Sequence, residues 1–406
     1  MVDQVVIGPP RARRPVAMLT HSYYEEDPRV RREAESLVEA GRPVDVFALR
    51  RPEDGPDGVV DGVRVRRLNV QRHQGASLPV YLCEYLEFLA RAAIALVRAH
   101  RRRRYALVQV HTLPDFLAFA ALPLRLVGVP VLLDLHEAMP EFFRSRFPRA
   151  AGPLVRRLLL LQERLSIAVS SHAVTVNDAL GRRLTDLGVP EDKVSVVINS
   201  PSLARFDPLH QPHRPFAEDG TVRLIYAGAL TPTYELDVAI DAVARFRDLR
   251  PDVAVVFDVY GRGDSEPLLQ AKAEALGLGR CVVFHGRIPI EDVPAAIARA
   301  DIGLAPTRRD EFTDVSLSTK IFEYGAMDKP AIASRLPLVE RTFEPGTVAT
   351  YEAGNPTALA EAIGRFVDDA AARDSAVAAT RERVRGLAWE REAERYVALV
   401  DRLATA

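Results

Sequence analysis

Two cysteines in 406 residues, Cys83 and Cys281, fall in different halves of the chain. They exclude a disulfide scaffold, a cysteine zinc site and a vicinal redox pair, and they fit a reducing compartment. No apolar run reaches the roughly 18 residues that span a bilayer. The opening MVDQVVIGPPRARRP has no long apolar core, so no signal peptide is expected, only a loose tail before the first strand. Charge of one sign is not in excess either. Lys and Arg number 54 and Asp and Glu 55, a formal net charge of −1, which argues against a general nucleic-acid binder. The expected location is the cytoplasm.

What is present is ordinary globular material, with hydrophobic residues at 48% and a length that suits two cores rather than one. Short β-rich apolar runs alternate with helical patterns, the pattern of βαβ units and parallel sheets. The first series comprises Val16 to Thr20, Pro43 to Leu49, Val63 to Leu68, Ala106 to Val110, Val129 to Leu135, Ala173 to Val176 and Val194 to Ile198. After the first run, Asp27-Pro28 reads as a helix cap and first helical residue, and Gly41 as the stop. The pattern dissolves between Leu203 and Gly220. A second series follows: Val222 to Ala227, Ala254 to Val259, Cys281 to Phe284, Ile302 to Ala305, Ala331 to Ala333 and Val348 to Tyr351. The expected fold is α/β, with two doubly wound Rossmann-like domains facing a cleft and ligands at the carboxyl ends of the strands. The boundaries read as 1–205, a linker at 206–220, and 221–386, with a final amphipathic helix at 387–406 carrying the only tryptophan, Trp389.

The stretch LSTKIFEYGAMDKPAIAS holds the strongest chemistry. Ser316, Leu317, Ser318 and Thr319 precede a short helix starting near Lys320, and a helix start offers free N–H groups and a positive dipole end to a phosphate. Lys320 adds a full charge, and Glu323 one turn on can accept from sugar hydroxyls. The competing reading is a capped helix whose Lys320 and Glu323 simply face water. Three strand-to-glycine exits, LIYAGAL with Gly228, VYGRGD with Gly261 and Arg262, and FHGRIP with Arg287 and Ile288, line one edge with bare backbone. Together with the helix start they make a nucleotide-sized site.

The ordered set YAGAL, VYGRGD, FHGRIP, ADIGLAP and LSTKIFEYGAMDKPAIAS resembles the nucleotide-binding half of family 4 glycosyltransferases of the GT-B fold. DPRVRREAESLVEAGRPVDV, VQVHTLPDFLAFA, LLDLHEAMPEFF and VINSPSLARFDP extend the resemblance over roughly Val16 to Leu403. It implies a retaining transferase that needs no metal and no cofactor beyond a nucleoside-diphosphate sugar as co-substrate. The donor would sit in the C-terminal domain, the acceptor mainly in the N-terminal one, and the last helix would cross back to the N-terminal domain. Glu323 matches the acid that contacts the ribose, Arg287 and Ile288 the segment that frames the base, and His111 the histidine near the donor sugar. Three positions depart from the pattern. Val315 stands where the first acid of the pair is expected, with Glu311 or Asp314 as substitutes; Ala229 and Tyr234 stand where many members carry Arg and Lys. Lys320 then leads the candidates for the diphosphate charge, ahead of Arg262 and Arg308.

On this reading catalysis rests on His111, Lys320 and Glu323, with His111 holding the donor sugar, against the alternative of a hydrogen-bonded core histidine. His21, Tyr23 and Tyr24 at the first strand exit, and His136 and Glu137 at another, are candidates for acceptor contact. Acceptors of the family include glycans, lipid-linked molecules and small natural products. Arg101 to Arg104, and Arg144, Arg146, Arg149, Arg156 and Arg157 beside Leu158 to Leu161, admit either a solvated face or peripheral contact with the inner face of a membrane. The other functions weighed are a non-catalytic sugar-nucleotide-binding or partner subunit, a sugar-nucleotide epimerase and a binding protein of periplasmic type. Oligomeric state is not legible.

Overall fold

The computed structural model describes residues 13–73, 77–212 and 214–405; the tail expected at the start lies, up to residue 12, outside them. The chain divides into two compact units. The first takes its described residues from Met1–His136, Leu161–Val174 and Arg395–Ala406, the second from Glu137–Leu160 and Thr175–Glu394. Among the described residues no helix is long and apolar enough to cross a membrane.

In the first unit lie β1 (Val16–Leu19), β2 (Val44–Leu49), β3 (Asp57–Val60), β4 (Val63–Leu68), β5 (Leu107–His111), β6 (Val131–Leu135) and β7 (His172–Thr175), in the order β3-β4-β2-β1-β5-β6-β7. β1, β2, β5 and β6 are buried along their whole length, as strands covered on both faces must be, which is why they read as continuous apolar runs. β3 was not among the expected strands because its residues, DGVV, are polar or half-exposed. It pairs antiparallel with β4 through Asp61-Gly62, both at positive φ (48° and 79°), the backbone that a two-residue hairpin of matching twist requires. The helix Pro28–Glu39 starts as read: the Asp27 carboxylate accepts from the N–H groups of Arg29 and Val30, and Gly41 follows the end at φ 78°.

The second unit contains the short β8 (Val194–Val196) and then β9 (Thr221–Ala227), β10 (Ala254–Tyr260), β11 (Val282–Gly286), β12 (Ile302–Ala305), β13 (Ala331–Ser334) and β14 (Ala349–Tyr351). These last six form a parallel sheet in the order β11-β10-β9-β12-β13-β14, with the crossover between β11 and β12 reversing the winding. Its core runs from Leu224, Tyr226 and Phe257 in the sheet to Ile240, Phe246 and Ile363 on the covering helices.

The last helix, Trp389–Thr405, enters the first unit from Arg395 onward. There Asp401 accepts from Arg42 Nη2 at 2.7 Å, and the Tyr396 hydroxyl donates to Gln109 Oε1 at 2.5 Å.

Gly303 in β12 lies against the ring of Tyr324, so closely that a Cβ would stand 2.2 Å from its Cδ2. Tyr324 is fully buried, with its hydroxyl donated to the carbonyls of Leu304 and Ile225, and has no room to retreat. Gly303→Ala is expected to destabilise by about 1–3 kcal/mol through overpacking, read as a lower urea midpoint at an unchanged denaturant slope.

Candidate functional site

At the carboxyl ends of β9, β10 and β11, three neighbouring strands leave the sheet through glycine. Gly228 N–H donates to the Tyr260 carbonyl at 2.9 Å, Gly261 N–H to Gly286 at 2.8 Å, and Leu230 N–H to Arg262 at 3.0 Å. The turns are packed backbone on backbone: a Cβ on Gly261, at φ 136°, would fall 1.8 Å from the Gly228 carbonyl oxygen. Only glycine fits there. The structure therefore brings Gly228, Gly261 and Arg262 together as expected, with Arg287 and Ile288 following directly on Gly286.

Beneath this edge begins the helix Thr319–Ala326. Lys320, in its first turn, is 7% exposed, which overturns the reading of it as a residue facing water. Its Cε would meet a Cβ on Gly228 at 2.5 Å, so the glycine exists to admit the lysine stem. The ammonium lies 4.1 Å from the ring centroid of Tyr234 and 4.9 Å from that of Tyr226. Ring faces are negative, so this cage attracts the cation without neutralising it. No carboxylate lies within ion-pair distance of Lys320 among the described residues. A nearly buried, uncompensated positive charge at a helix N-terminus is a site for an anion. Ser318 Oγ beside it is buried without a hydrogen-bond partner among the described residues. Ser316, Leu317 and Thr319 are half-buried around the helix start, and Glu323 is half-buried one turn further on. The two acids considered as replacements at Val315 are both engaged by arginine: Glu311 by Arg144 at 2.8 Å and Asp314 by Arg309 at 3.3 Å.

His111 ends β5 in the first unit and stands in register with Asp134 on β6. Its Nδ1 lies 2.9 Å from Asp134 Oδ2, while Arg29 donates to both Asp134 oxygens at 2.7 Å. Arg29 also reaches Glu33 at 3.1 Å, Gln109 donates to Glu33, and Tyr396 donates to Gln109. Glu33, Gln109, His111 and Asp134 are fully buried. Burial works to raise the pKa of Asp134, but the charge of Arg29 and the hydrogen bonds from His111 and Arg29 outweigh it and hold the carboxyl well below the usual range. Burial works to lower that of His111, and the bond to Asp134 with the charge of Glu33 overcomes it, so the net shift is upward. Burial leads for Glu33 too, and raises it.

Glu33, His111 and Asp134 offer ligand atoms within 4.8 Å of one another, the spacing of a metal site. Arg29 already holds both oxygens of Asp134 and one of Glu33, so the cation of this cluster is supplied by the chain. His111 Nε2 has no hydrogen-bond partner among the described residues. One nitrogen of His111 is thus a core anchor, and the other is buried without a partner among the described residues.

The acceptor candidates fare differently. His21 packs edge-on against Tyr85 and Phe88, with Nε2 3.1 Å from Glu84 Oε1, and burial drops its pKa to about 3. Tyr24 is wholly buried, which removes it from any open face. Tyr23 lies under Arg72, 5.5 Å from the ring centroid. His136 is half-buried, its pKa brought to about 4 mainly by burial, and Glu137 is pushed up to about 7 by burial.

Residues 27–200 match the Glycosyl transferase 4-like domain, and residues 221–369 match Glycosyl transferases group 1. The chain belongs to the family 4 glycosyltransferases. It is 24% identical over 392 residues to the D-inositol 3-phosphate glycosyltransferase of Pseudarthrobacter chlorophenolicus, covering 92% of this chain and 90% of that one. It is 26% identical over 235 residues to the 2-deoxystreptamine glucosyltransferase of Streptomyces kanamyceticus, covering 55% and 59%. The fold is shared with sucrose-phosphate synthase of Thermosynechococcus elongatus, at a TM-score of 0.79 and 19% identity over 96% of this chain and 99% of that one. It is also shared with HepE of Anabaena in complex with UDP and glucose, at 0.71 and 14% over 95% and 99%. This family 4 transferase is accordingly a GT-B enzyme of hexosyltransferase type.

The transferase's sequence pattern does not reveal what supports either set: the rings of Tyr226 and Tyr234 that face Lys320, and the Arg29, Glu33, Asp134 and Tyr396 network around His111. The one legible hint was Tyr234 itself, an aromatic at a position where the family carries a cation.

Two outcomes follow from the buried cluster and its neighbour. Asp134→Asn strips Arg29 of its main counter-charge and should cost about 3–5 kcal/mol in chemical unfolding. Glu137 takes up a proton on folding, because its folded pKa of about 7 exceeds the ordinary 4.5. Its contribution is therefore greatest below 4.5 and is lost as pH rises to 7. Across that window wild type should lose stability relative to Glu137→Gln, measured as the difference between their unfolding midpoints.

Proposed function

We propose that the enzyme transfers a sugar from a nucleoside-diphosphate donor to an acceptor hydroxyl with retention of anomeric configuration. The observation that carries this is Lys320, a nearly buried cation with no carboxylate partner among the described residues, at a helix start beside three glycine turns. A diphosphate satisfies that charge, the Ser318 hydroxyl and the free helix N–H groups together. Glu323 accepts from the ribose, and Arg287 and Ile288 frame the base. The cation that stabilises the departing phosphate is then part of the chain, and no metal is required for that step.

The chemistry assigned to each group follows from its surroundings. Negative charge grows on the bridging phosphate oxygen as the glycosidic bond breaks, and a preorganised ammonium and helix dipole lower the barrier without moving. The acceptor hydroxyl attacks on the face the leaving group vacates, and its proton passes to the phosphate oxygen. That route places no demand on an enzymic general base. His111, with Nδ1 fixed by Asp134, presents Nε2 to a hydroxyl of the donor sugar. Relatives are named D-inositol 3-phosphate glycosyltransferase and 2-deoxystreptamine glucosyltransferase, and a polyhydroxylated acceptor, free or lipid-linked, fits the reading. The enzyme would work in the cytoplasm.

A panel of UDP-, GDP-, dTDP- and ADP-sugars should yield one donor that raises the melting temperature and releases nucleoside diphosphate. With that donor, Lys320→Met keeps the apolar stem between the tyrosines and should lower kcat by about 10²- to 10³-fold. Protection unchanged in Lys320→Met, or no protection by any donor, overturns the assignment.

A further inference from the structure

The helix Pro153–Val169 is apolar on its outward side as well as its inward one. Its buried positions are Glu163, Ser166 and Ile167, while Leu154, Leu158, Leu161 and Leu165 point outward with exposures of 69%, 55%, 52% and 48%. Spacings of four, three and four residues put all four on one stripe. A solvated helix carries its charged residues there. Here the exposed charges are only Arg156, Arg157 and Arg164, and the helix's single acid, Glu163, faces inward. None of these three arginines has an ion-pair partner among the described residues, and neither has Arg149 just before the helix.

Beside the stripe lies a groove of about 520 Å³ whose walls include Pro140, Phe143, Pro148, Arg156, Arg157 and Leu159. Arg144 lines it too, paired with Glu311, so the groove combines apolar side chains with two arginines that have no ion-pair partner among the described residues, a lining that suits a phosphodiester joined to hydrocarbon. The helix Leu78–Arg103 makes a useful contrast. It too exposes leucines, Leu82 and Leu86, but Glu87 sits among them and pairs with Arg91 at 2.6 Å. That face is charge-balanced; the face of Pro153–Val169 is not.

We propose that the outward face of Pro153–Val169, with Arg157 and Arg164 beside the leucines and Arg149 and Arg156 at the helix start next to it, docks on an anionic phospholipid bilayer. The leucines enter the interfacial layer while the arginines pair with lipid phosphates. This face does not depend on the donor site, and its test needs no sugar nucleotide.

The experiment is co-sedimentation of the full chain with vesicles of phosphatidylglycerol and phosphatidylcholine in equal parts, and with phosphatidylcholine alone. Binding should occur with the mixed vesicles, be lost on phosphatidylcholine alone, and weaken with salt. Arg156→Glu with Arg157→Glu should reduce it by at least about tenfold, since each cation near the surface contributes about 1 kcal/mol. Leu154→Ser with Leu158→Ser should reduce it as well. All four side chains are exposed, so the variants should melt as wild type does. Absence of binding to anionic vesicles overturns the proposal, as does binding indifferent to both double substitutions. A dimer in sedimentation velocity that Leu154→Ser with Leu158→Ser dissolves also overturns it, because a second copy then covers the stripe.

Discussion

The contact between Gly261 and the carbonyl of Gly228 is the constraint from which the second unit's chemistry follows. The two strand exits approach so closely that Gly261 can carry no side chain, while a Cβ on Gly228 would meet Lys320 instead. What remains at that edge is backbone, with its N–H and C=O groups laced into one another, and a space into which the stem of Lys320 fits. A methyl on Gly261 would strike that carbonyl, and one on Gly228 would strike the lysine. The tyrosines complete the arrangement from the side: Tyr226 is anchored by its hydroxyl to Ala229 at 2.7 Å, and Tyr234 brings its face to the ammonium. An aromatic cage holds a cation in place yet leaves its charge available, which a carboxylate partner would not.

The first unit solves a different problem, the burial of four ionisable groups in one place. Arg29, Glu33, His111 and Asp134 are held there by short, directed bonds centred on Asp134, and Gln109 with Tyr396 extends the network on the Glu33 side. Two arrangements of protons are electrically neutral: Glu33 ionised with His111 charged, or Glu33 protonated with His111 neutral. Both keep Asp134 ionised against Arg29. The arrangement makes the orientation of His111 rigid while leaving its charge responsive to what approaches Nε2.

The architecture was legible because parallel strands covered on both faces must be written as apolar runs, and helix punctuation such as Asp27-Pro28 and Gly41 acts over a few residues. β3 escaped that logic, being a polar edge strand, although Asp61-Gly62 between two valine-containing runs is itself a hairpin signal. The helix start at Lys320 and the glycine exits were equally legible, since both are local features of backbone chemistry. What could not be read were the partners. Tyr226 and Tyr234 reach Lys320, and Tyr396 reaches Gln109, across stretches of chain that only folding brings together. Ala229 and Tyr234 looked like two losses of charge; in the structure Tyr234 replaces a cation by the surface that positions one. His21 shows the same limit, since its packing against Tyr85 and Phe88 and its approach to Glu84 are contacts made only in the fold.

The route of the last helix has a consequence for biosynthesis. Tyr396 and Asp401 belong to the first unit, yet the ribosome makes them after every residue of the second. The Gln109 and Arg42 groups they satisfy are buried, so until then the first unit holds polar groups without their partners. The usual order, in which an N-terminal domain is finished while the rest is still being made, does not apply here. The second unit can complete its fold first, and the unit whose strands emerged earliest matures last.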